Sequence, residues 1–185
     1  LQLGGAGTVY TDFIWEASAP STYNAANGNQ TFGTPVPSVI INEVDADTPS
    51  TDVEEFIELF DGGSGNTALD GLVVVLFNGS NDQSYRAIDL DGFTTDANGY
   101  FVIGNTGVAN VSIVIPSNGI QNGADAVALY QDDATTFPNG TALTTTNLLD
   151  ALVYDTNDSD DSGLLTLLNP GEAQINEDAG GDKDN

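Results

Sequence analysis

The stretch Asp70-Gly71-Leu72-Val73-Val74-Val75-Leu76-Phe77-Asn78-Gly79 decides the fold class of this chain. Its centre, Leu72 to Phe77, is the longest apolar run in the sequence. A run of this length suits a strand and is far shorter than the roughly 18 residues of a membrane span. The flanking Asp-Gly and Asn-Gly pairs tolerate the positive φ angles of tight hairpin turns. The stretch therefore predicts one strand between two turns.

Asn-Gly and Asp-Gly pairs, which favour tight turns, recur on both sides of this stretch. Asn-Gly begins at residues 27, 98, 118, 122 and 139, and Asp-Gly begins at residues 61 and 91. Short β-branched and aromatic runs lie between these pairs and predict strands near Val36–Val44, Glu54–Phe60, Leu72–Phe77, Ser84–Leu90, Tyr100–Ile103, Val111–Ile115, Ala126–Tyr130 and Leu148–Tyr154. Such spacing indicates an all-β sandwich or barrel. A 3.6-residue apolar period is absent except for one turn of helix predicted near Ser162–Leu168.

The charge excludes two classes of partner. The 185 residues contain 28 acidic side chains and 2 basic ones, Arg86 and Lys183, giving a formal charge of -26. Nucleic-acid binding and attraction to an anionic membrane both depend on Lys and Arg, so neither is expected without bridging cations. Two compatible interpretations remain: a salt-adapted surface, or partial neutralisation by divalent cations. Hydrophobic residues make up 39 %, enough for a packed core.

Six short motifs, in order, carry a family resemblance. They are Ile41-Asn42-Glu43, Glu55-Phe56-Ile57-Glu58-Leu59, Leu69-Asp70-Gly71, Gly99-Tyr100-Phe101-Val102-Ile103-Gly104, the run from Asn122 to Tyr130, and Leu149-Asp150-Ala151-Leu152-Val153-Tyr154. Over residues 38 to 177 the chain resembles the lamin tail domain family, and in particular its bacterial, secreted branch. The resemblance implies an immunoglobulin-like β-sandwich. It does not imply catalysis by this domain, and the binding partners vary from member to member.

The sequence predicts three regions. Residues 1–35 form an N-terminal extension with a Gly-rich start, a candidate strand and a polar, Asn-rich linker. Residues 36–177 form the lamin-tail β-sandwich, and residues 178–185 form an acidic, Gly-rich tail. Because the chain does not begin with Met, we expect a processed mature form or a fragment. The resemblance to the secreted branch implies a location in the extracellular space or at the cell surface.

The inventory of reactive side chains argues against catalysis. His and Cys are absent, so a Ser-His-Asp arrangement and the usual zinc sites are excluded. A carboxylate pair could in principle come from Glu43, Glu55 and Glu58. Glu55 and Glu58 would point to opposite faces of a strand, and we expect Glu43 and Glu58 to be structural residues of the first hairpin. One or both of these two would accept backbone hydrogen bonds.

Calcium is the expected cofactor, because it takes six to eight oxygen ligands that are best gathered in loops. Two loops are dense in carboxylates, although neither has the spacing of an EF-hand. The candidate ligands of the first loop are Asp45, Asp47, Asp52 and Glu54, and those of the second are Asp155, Asn157, Asp158, Asp160 and Asp161. The alternative is that both loops are simply solvated.

The N-terminal extension is the candidate assembly element. In a strand spanning residues 9 to 16, side chains alternate, so Val9, Thr11, Phe13 and Trp15 would share one face. This strand could join the sheet of its own domain, or it could add to the sheet of a neighbouring subunit as in donor-strand complementation.

Asn-X-Ser/Thr sequons at residues 29, 78, 110, 139 and 157 permit glycosylation, but an Asn- and Thr-rich chain produces most sequons by chance.

Two functions are therefore expected. The first is an extracellular structural subunit that assembles into a homo-oligomer or filament by strand exchange and is stabilised by calcium. The second is an accessory module of a secreted nuclease or phosphatase, which binds a ligand or directs the enzyme to its place of action. The chain's partner would be another copy in the first case and a different extracellular protein in the second.

Overall fold

The computed structural model describes residues 1–17, 19–32, 37–48, 51–156 and 158–177. The chain divides into two compact units, residues 1–36 and residues 37–185. The sequence placed this division after residue 35. The predicted acidic tail, residues 178–185, lies outside the described residues. In the described ranges, no helix is long and apolar enough to cross a membrane.

The N-terminal unit is a small three-stranded sheet. Its strands are β1 (Gln2–Gly7), β2 (Phe13–Glu16) and β3 (Gln30–Phe32). They lie in the order β2-β1-β3, with β1 antiparallel to β2 and parallel to β3. The central strand is therefore the Gly-rich segment, although Gly is depleted in strands and nothing local predicts one there.

The predicted strand over residues 9–16 is wrong in its first half. Tyr10–Asp12 forms a 3-10 turn, and β2 begins only at Phe13. The Asp12 carboxylate closes this turn by accepting hydrogen bonds from the backbone N–H groups of Thr8 and Val9, at 2.8 and 3.0 Å. An acidic side chain that bonds its own backbone in this way favours a turn over an extended strand.

The second unit is a two-sheet all-β sandwich, as the turn and strand pattern predicted. Its strands are β4 (Ile40–Asp45), β5 (Phe56–Phe60), β6 (Val73–Asn78), β7 (Gln83–Asp89), β8 (Tyr100–Gly104), β9 (Val111–Val114), β10 (Asp125–Tyr130), β11 (Leu148–Asp155) and β12 (Ile175–Asn176). One sheet has the order β4-β5-β8-β9 and the other β12-β11-β10-β6-β7. Most neighbours are antiparallel, while β8 with β9 and β11 with β12 run parallel.

The main core combines residues of both sheets. Val74 and Leu76 of β6 share it with Ile57 and Leu59 of β5, and all four side chains are fully buried. Their spacing of two residues reflects the alternation of side chains along a strand. Apolar burial of this kind contributes roughly 25 cal/mol per Å² of area removed from water.

A second apolar cluster covers the opposite face of β6. Val73, Val75 and Phe77 pack there with Leu164 and Leu168 of α1 (Ser162–Leu168), the one α-helix of the described residues. This helix lies where the sequence predicted one turn of helix. Because β6 is buried on both faces, its sequence is a continuous apolar run and does not alternate.

Candidate cation site and assembly surfaces

The first acidic loop is held together by an amide from a distant part of the chain. The side-chain N–H₂ of Asn122 donates to Asp47 Oδ1 and to Asp52 Oδ2, both at 3.1 Å. Asp52 is buried, and its Oδ1 accepts from the backbone N–H of Thr48 at 3.0 Å. Glu54 is exposed and lines a different pocket, so the structure does not bring it to the same place as Asp47 and Asp52.

Asp45 faces a partner that the sequence did not suggest. Glu177 Oε1 accepts from the backbone N–H groups of Ala46 and Asp47, at 2.9 and 3.4 Å, and its carboxyl group is hydrogen-bonded to that of Asp45. Burial, and then the negative charge of Glu177, raise the pKa of Asp45 to about 7. Burial also raises the pKa of Glu177. Burial and the closeness of the two carboxyl groups thus disfavour the charged form of Asp45.

The second acidic loop is clamped by Gln174. Its side-chain amide donates to Asp155 Oδ2 and accepts from the backbone N–H of Asp161 at 2.8 Å. Asp155 is 1 % exposed, and its Oδ1 has no hydrogen-bond partner among the described residues. Burial, together with the charges of Asp158 and Asp160, raises the pKa of Asp155. The remaining predicted ligand, Asn157, lies outside the described residues.

Asn122 joins the two loops at one end of the sandwich. While its amide holds Asp47 and Asp52, its backbone C=O accepts from Thr156 Oγ1 at 2.8 Å. Loops that are about 110 positions apart in sequence thus meet at one residue. Sequence reasoning predicted two separate candidate sites, whereas the structure places them side by side.

An acidic pocket opens beside the second loop and includes a carboxylate that the sequence analysis missed. Asp125, at the start of β10, lines it together with Asp158 and Asp161. Burial and the charges of Asp161 and Asp158 raise the pKa of Asp125, while its Oδ1 accepts from the backbone N–H of Gly79 at 2.8 Å. The only local signal was its position between an Asn-Gly turn and an apolar strand.

Gly79 shows how closely oxygen atoms approach in this pocket. A Cβ at this position would lie 2.0 Å from the carbonyl oxygen of Ala124 and 2.8 Å from Asp161 Oδ2. Any side chain here would collide with both. Asp161 Oδ1 accepts from the backbone N–H of Leu164 at 2.8 Å, where it caps α1, so Oδ2 is the atom turned toward Gly79.

The donor set suits a hard cation, but it is not a preformed cage. Carboxylate and carbonyl oxygens are the ligands that Ca²⁺ takes. Within the described ranges, no group of three or more acidic side chains converges closely enough to hold a metal ion. Arg86, on β7, is the only basic side chain in those ranges. The calcium site expected from the sequence therefore stays a prediction.

The three glutamates considered for acid-base chemistry have structural surroundings. Glu55 is fully buried and accepts from the backbone N–H groups of Gly119 and Ile120, each at 2.9 Å, and from Asn105 Nδ2 at 3.2 Å. Glu43 and Glu58 are direct cross-strand partners, and Glu58 accepts from the side chain of Asn42 at 2.7 Å. The backbone hydrogen bonds expected for Glu43 or Glu58 are thus made by Glu55.

The N-terminal sheet gathers its apolar side chains on one face. Leu3 lies opposite Trp15, Gly5 opposite Phe13, and Gly7 opposite Phe32, so the side chains of these pairs share a face. The rings of Phe13 and Phe32 lie 5.4 Å apart between centroids. The shared face predicted for Phe13 and Trp15 is therefore present. Val9 and Thr11 do not belong to it, because they precede β2.

This apolar face is open in the described chain. Trp15 and Phe32 are 63 % and 62 % exposed, and Gly4 is the only residue of the described N-terminal unit that is buried. Ile14, on the other face of β2, is 67 % exposed. The described residues of this unit thus form a sheet without burying any hydrophobic side chain.

Comparison with known proteins adds no family to these observations. No protein-family model matches the chain. A search of curated proteins also finds no match.

Proposed function

We propose that this chain is a non-catalytic, extracellular structural protein of the lamin-tail type that assembles with copies of itself through its N-terminal unit. The lamin-tail assignment is supported by the position of the six motifs. Five of them fall on β4, β5, β8, β10 and β11, and Leu69-Asp70-Gly71 forms the turn before β6. The immunoglobulin-like character of the sandwich belongs to the same proposal.

The observation that carries the assembly proposal is the uncovered apolar face of the N-terminal sheet. Folded units below about 40 residues usually need a disulfide, a metal or a partner, because they bury too little surface. This unit spans residues 1–36 and the chain has no cysteine. Trp15 and Phe32 remain exposed, and Leu3 and Phe13 are only partly buried. A three-stranded sheet needs a covered hydrophobic face to persist in water, and a partner surface would supply that cover.

A second copy of the chain is the partner that this proposal names. The outer strands of the small sheet, β2 and β3, are both edges, and open strand edges add readily to other sheets. An assembly of copies that each carry a charge of -26 must also overcome mutual repulsion.

In this proposal, bound calcium reduces the electrostatic repulsion between the acidic copies. The acidic pocket of Asp125, Asp158 and Asp161 would bind the ion in hydrated form, with the carbonyl of Ala124 beside it. The linked loops around Asn122 would supply further carboxylates. Binding would lower the net charge of each subunit and stabilise the end of the sandwich where the loops meet.

The test is the oligomeric state of the full chain against the variant Phe13→Ser/Trp15→Ser. Sedimentation velocity over a wide concentration range, with calcium, should show multimers for the full chain and monomers for the variant. A matched control is Leu149→Ser/Leu167→Ser, which removes two exposed apolar side chains from the sandwich and should assemble normally. A full chain that stays monomeric at every concentration, with and without calcium, contradicts the proposal and favours an accessory module.

A further inference from the structure

The sandwich has four edge strands, and their protection differs. They are β4 and β9 in one sheet and β7 and β12 in the other. An edge presents unpaired N–H and C=O groups, and proteins usually protect it with charges, bulges, short length or covering segments. An edge without such devices is a candidate acceptor for a strand from another molecule.

The β4 edge is blocked by acidic side chains. The backbone N–H of Ile41 donates to Asp150 Oδ2 at 2.8 Å, and just beyond the strand that of Ala46 donates to Glu177 Oε1 at 2.9 Å. A β-bulge interrupts the strand between Ile41 and Glu43. The donors at the two ends of this edge are therefore already occupied, which leaves an incoming strand little to pair with.

The edges of the other sheet are protected differently. The first half of β7 is covered, because Ser84 N–H donates to Thr141 C=O at 2.8 Å and Gly140 N–H donates to Ser84 C=O at 2.7 Å. The remainder of β7 carries the charged residues Arg86 and Asp89. The last edge, β12, has only two residues and offers little to pair with.

Among the described residues, the β9 edge carries no charge and no covering segment, although a bulge at Ser112 interrupts its pairing with β8 between Val111 and Ile113. Its sequence, Val111-Ser112-Ile113-Val114, contains no charge and no proline, and it has β8 as its sole neighbour in the described sheet. Val114 is 62 % exposed. Beside it lies an open pocket of about 520 Å³ whose apolar lining includes Val53, Ile115 and Pro116, with Glu54 as its carboxylate.

We propose that β9 is the acceptor edge for β2 of a second copy, with the ring of Trp15 entering the pocket beside Val114. This inference rests on the proposed self-assembly and names its receiving surface. Both strands have four residues, and β2 is itself an edge of its own small sheet. Because β9 carries no charge, it is the edge at which two strongly acidic copies repel each other least.

The geometry of this contact sets the form of the assembly. The donor strand and the acceptor edge are different surfaces of the same chain, so the contact is heterologous. Repeating a heterologous contact gives a ring if the rotation closes and an open filament if it does not. The aromatic ring would fix the register of the added strand, and the backbone pairing would supply general affinity.

Cysteine cross-linking tests this pairing cleanly, because the chain has no cysteine of its own. Ala17→Cys is combined in one full-length variant with Ser112→Cys and in another with Val114→Cys, because alternation along β2 places position 17 on the face of Trp15. All three positions are exposed, and the two acceptor positions sample adjacent registers. The matched control combines Ala17→Cys with Leu167→Cys, an exposed position on α1. Each variant is oxidised under assembly conditions and analysed on a non-reducing gel.

The expected result is a ladder of disulfide-linked multimers from at least one β9 variant and none from the control. If the unmodified chain assembles but neither β9 variant gives a ladder, the acceptor edge is wrong and self-assembly stands. A fast-migrating monomer without free thiols also overturns the inference, since the strand would then pair within its own chain. If the unmodified chain does not assemble at all, the proposed function itself fails.

Discussion

Leu3 and Trp15 are direct cross-strand partners in the N-terminal sheet, and the indole of Trp15 is 63 % exposed. Because Trp15 is the only tryptophan of the chain, its fluorescence reports on this surface alone. We predict that the emission maximum moves to shorter wavelength as protein concentration rises through the assembly range, since the ring passes from water into an apolar contact. Collisional quenching by iodide or acrylamide should weaken in parallel.

The control for this measurement is the variant Leu3→Ser, which removes the apolar partner of the indole. It should need a higher concentration for the same spectral shift. An emission maximum that stays constant while sedimentation shows multimers would mean that assembly uses another surface.

Calcium should raise the thermal stability of the sandwich. A ligand that binds only the folded state stabilises it by about 2.7 kcal/mol when its free concentration is a hundred times its dissociation constant. The measurement compares melts in calcium and in chelator at matched ionic strength, which holds general screening constant. Asp158→Asn should reduce the calcium-dependent increase, whereas Asp89→Asn, an exposed change of equal charge on β7, should not. Equal melting midpoints with and without calcium would show that calcium does not stabilise the folded chain.

The second apolar cluster should contribute strongly to stability. Leu164 is fully buried between α1 and the sheet, so Leu164→Ala is expected to cost about 2–5 kcal/mol in the free energy of unfolding. Leu167, on the same helix, is 47 % exposed, and Leu167→Ala should cost less than about 1 kcal/mol. Urea denaturation of both variants measures the difference. Similar losses for the two would show that α1 does not cover the sheet.

Asp61 should give the stability a distinct acid dependence. Its carboxylate accepts from Thr67 Oγ1 at 2.6 Å and Thr95 Oγ1 at 2.7 Å, and also from backbone N–H groups of the turn that follows. These bonds, that of Thr67 foremost, lower the pKa of Asp61 to about 2 from an ordinary value of 3.8. A lowered pKa means that the stabilisation is full above the unfolded-state value and is lost as the pH falls through the folded-state value.

The variant Asp61→Asn isolates this effect. At pH 6 its melting temperature should lie several degrees below that of the unmodified chain. The gap should narrow steadily between about pH 4 and pH 2, because protonated Asp61 loses the same advantage. A gap that is constant over this range would show that the carboxylate charge is not what the turn requires.

Most of the sandwich could be predicted from the sequence because its signals are local. Asn-Gly and Asp-Gly pairs fix the turns, and the run Leu72–Phe77 identifies the strand that becomes buried on both faces. The N-terminal unit could not be predicted in the same way. Its central strand is rich in glycine, and the turn at Tyr10–Asp12 depends on where the Asp12 side chain finds its donors.

The candidate site was only partly visible in the sequence. Acidic composition marked the two loops, but their meeting depends on Asn122, which is remote from both in sequence. Glu177 and Asp125 were missed for the same reason, since each acquires its role from a partner brought by the fold. Long-range contacts of this kind leave no periodic or spacing signal in a single chain.

Removal of residues 1–36 tests the central claim most directly. Sedimentation velocity and thermal unfolding are measured on the truncated and full chains, in calcium, over the same concentrations. The account predicts that the full chain forms multimers whose size grows with concentration, while the truncated chain is a soluble monomer whose sandwich melts cooperatively near the midpoint of the unassembled full chain. A truncated chain that unfolds, together with a full chain that stays monomeric at all concentrations, would contradict the claim. It would show that the N-terminal unit stabilises the sandwich of its own chain.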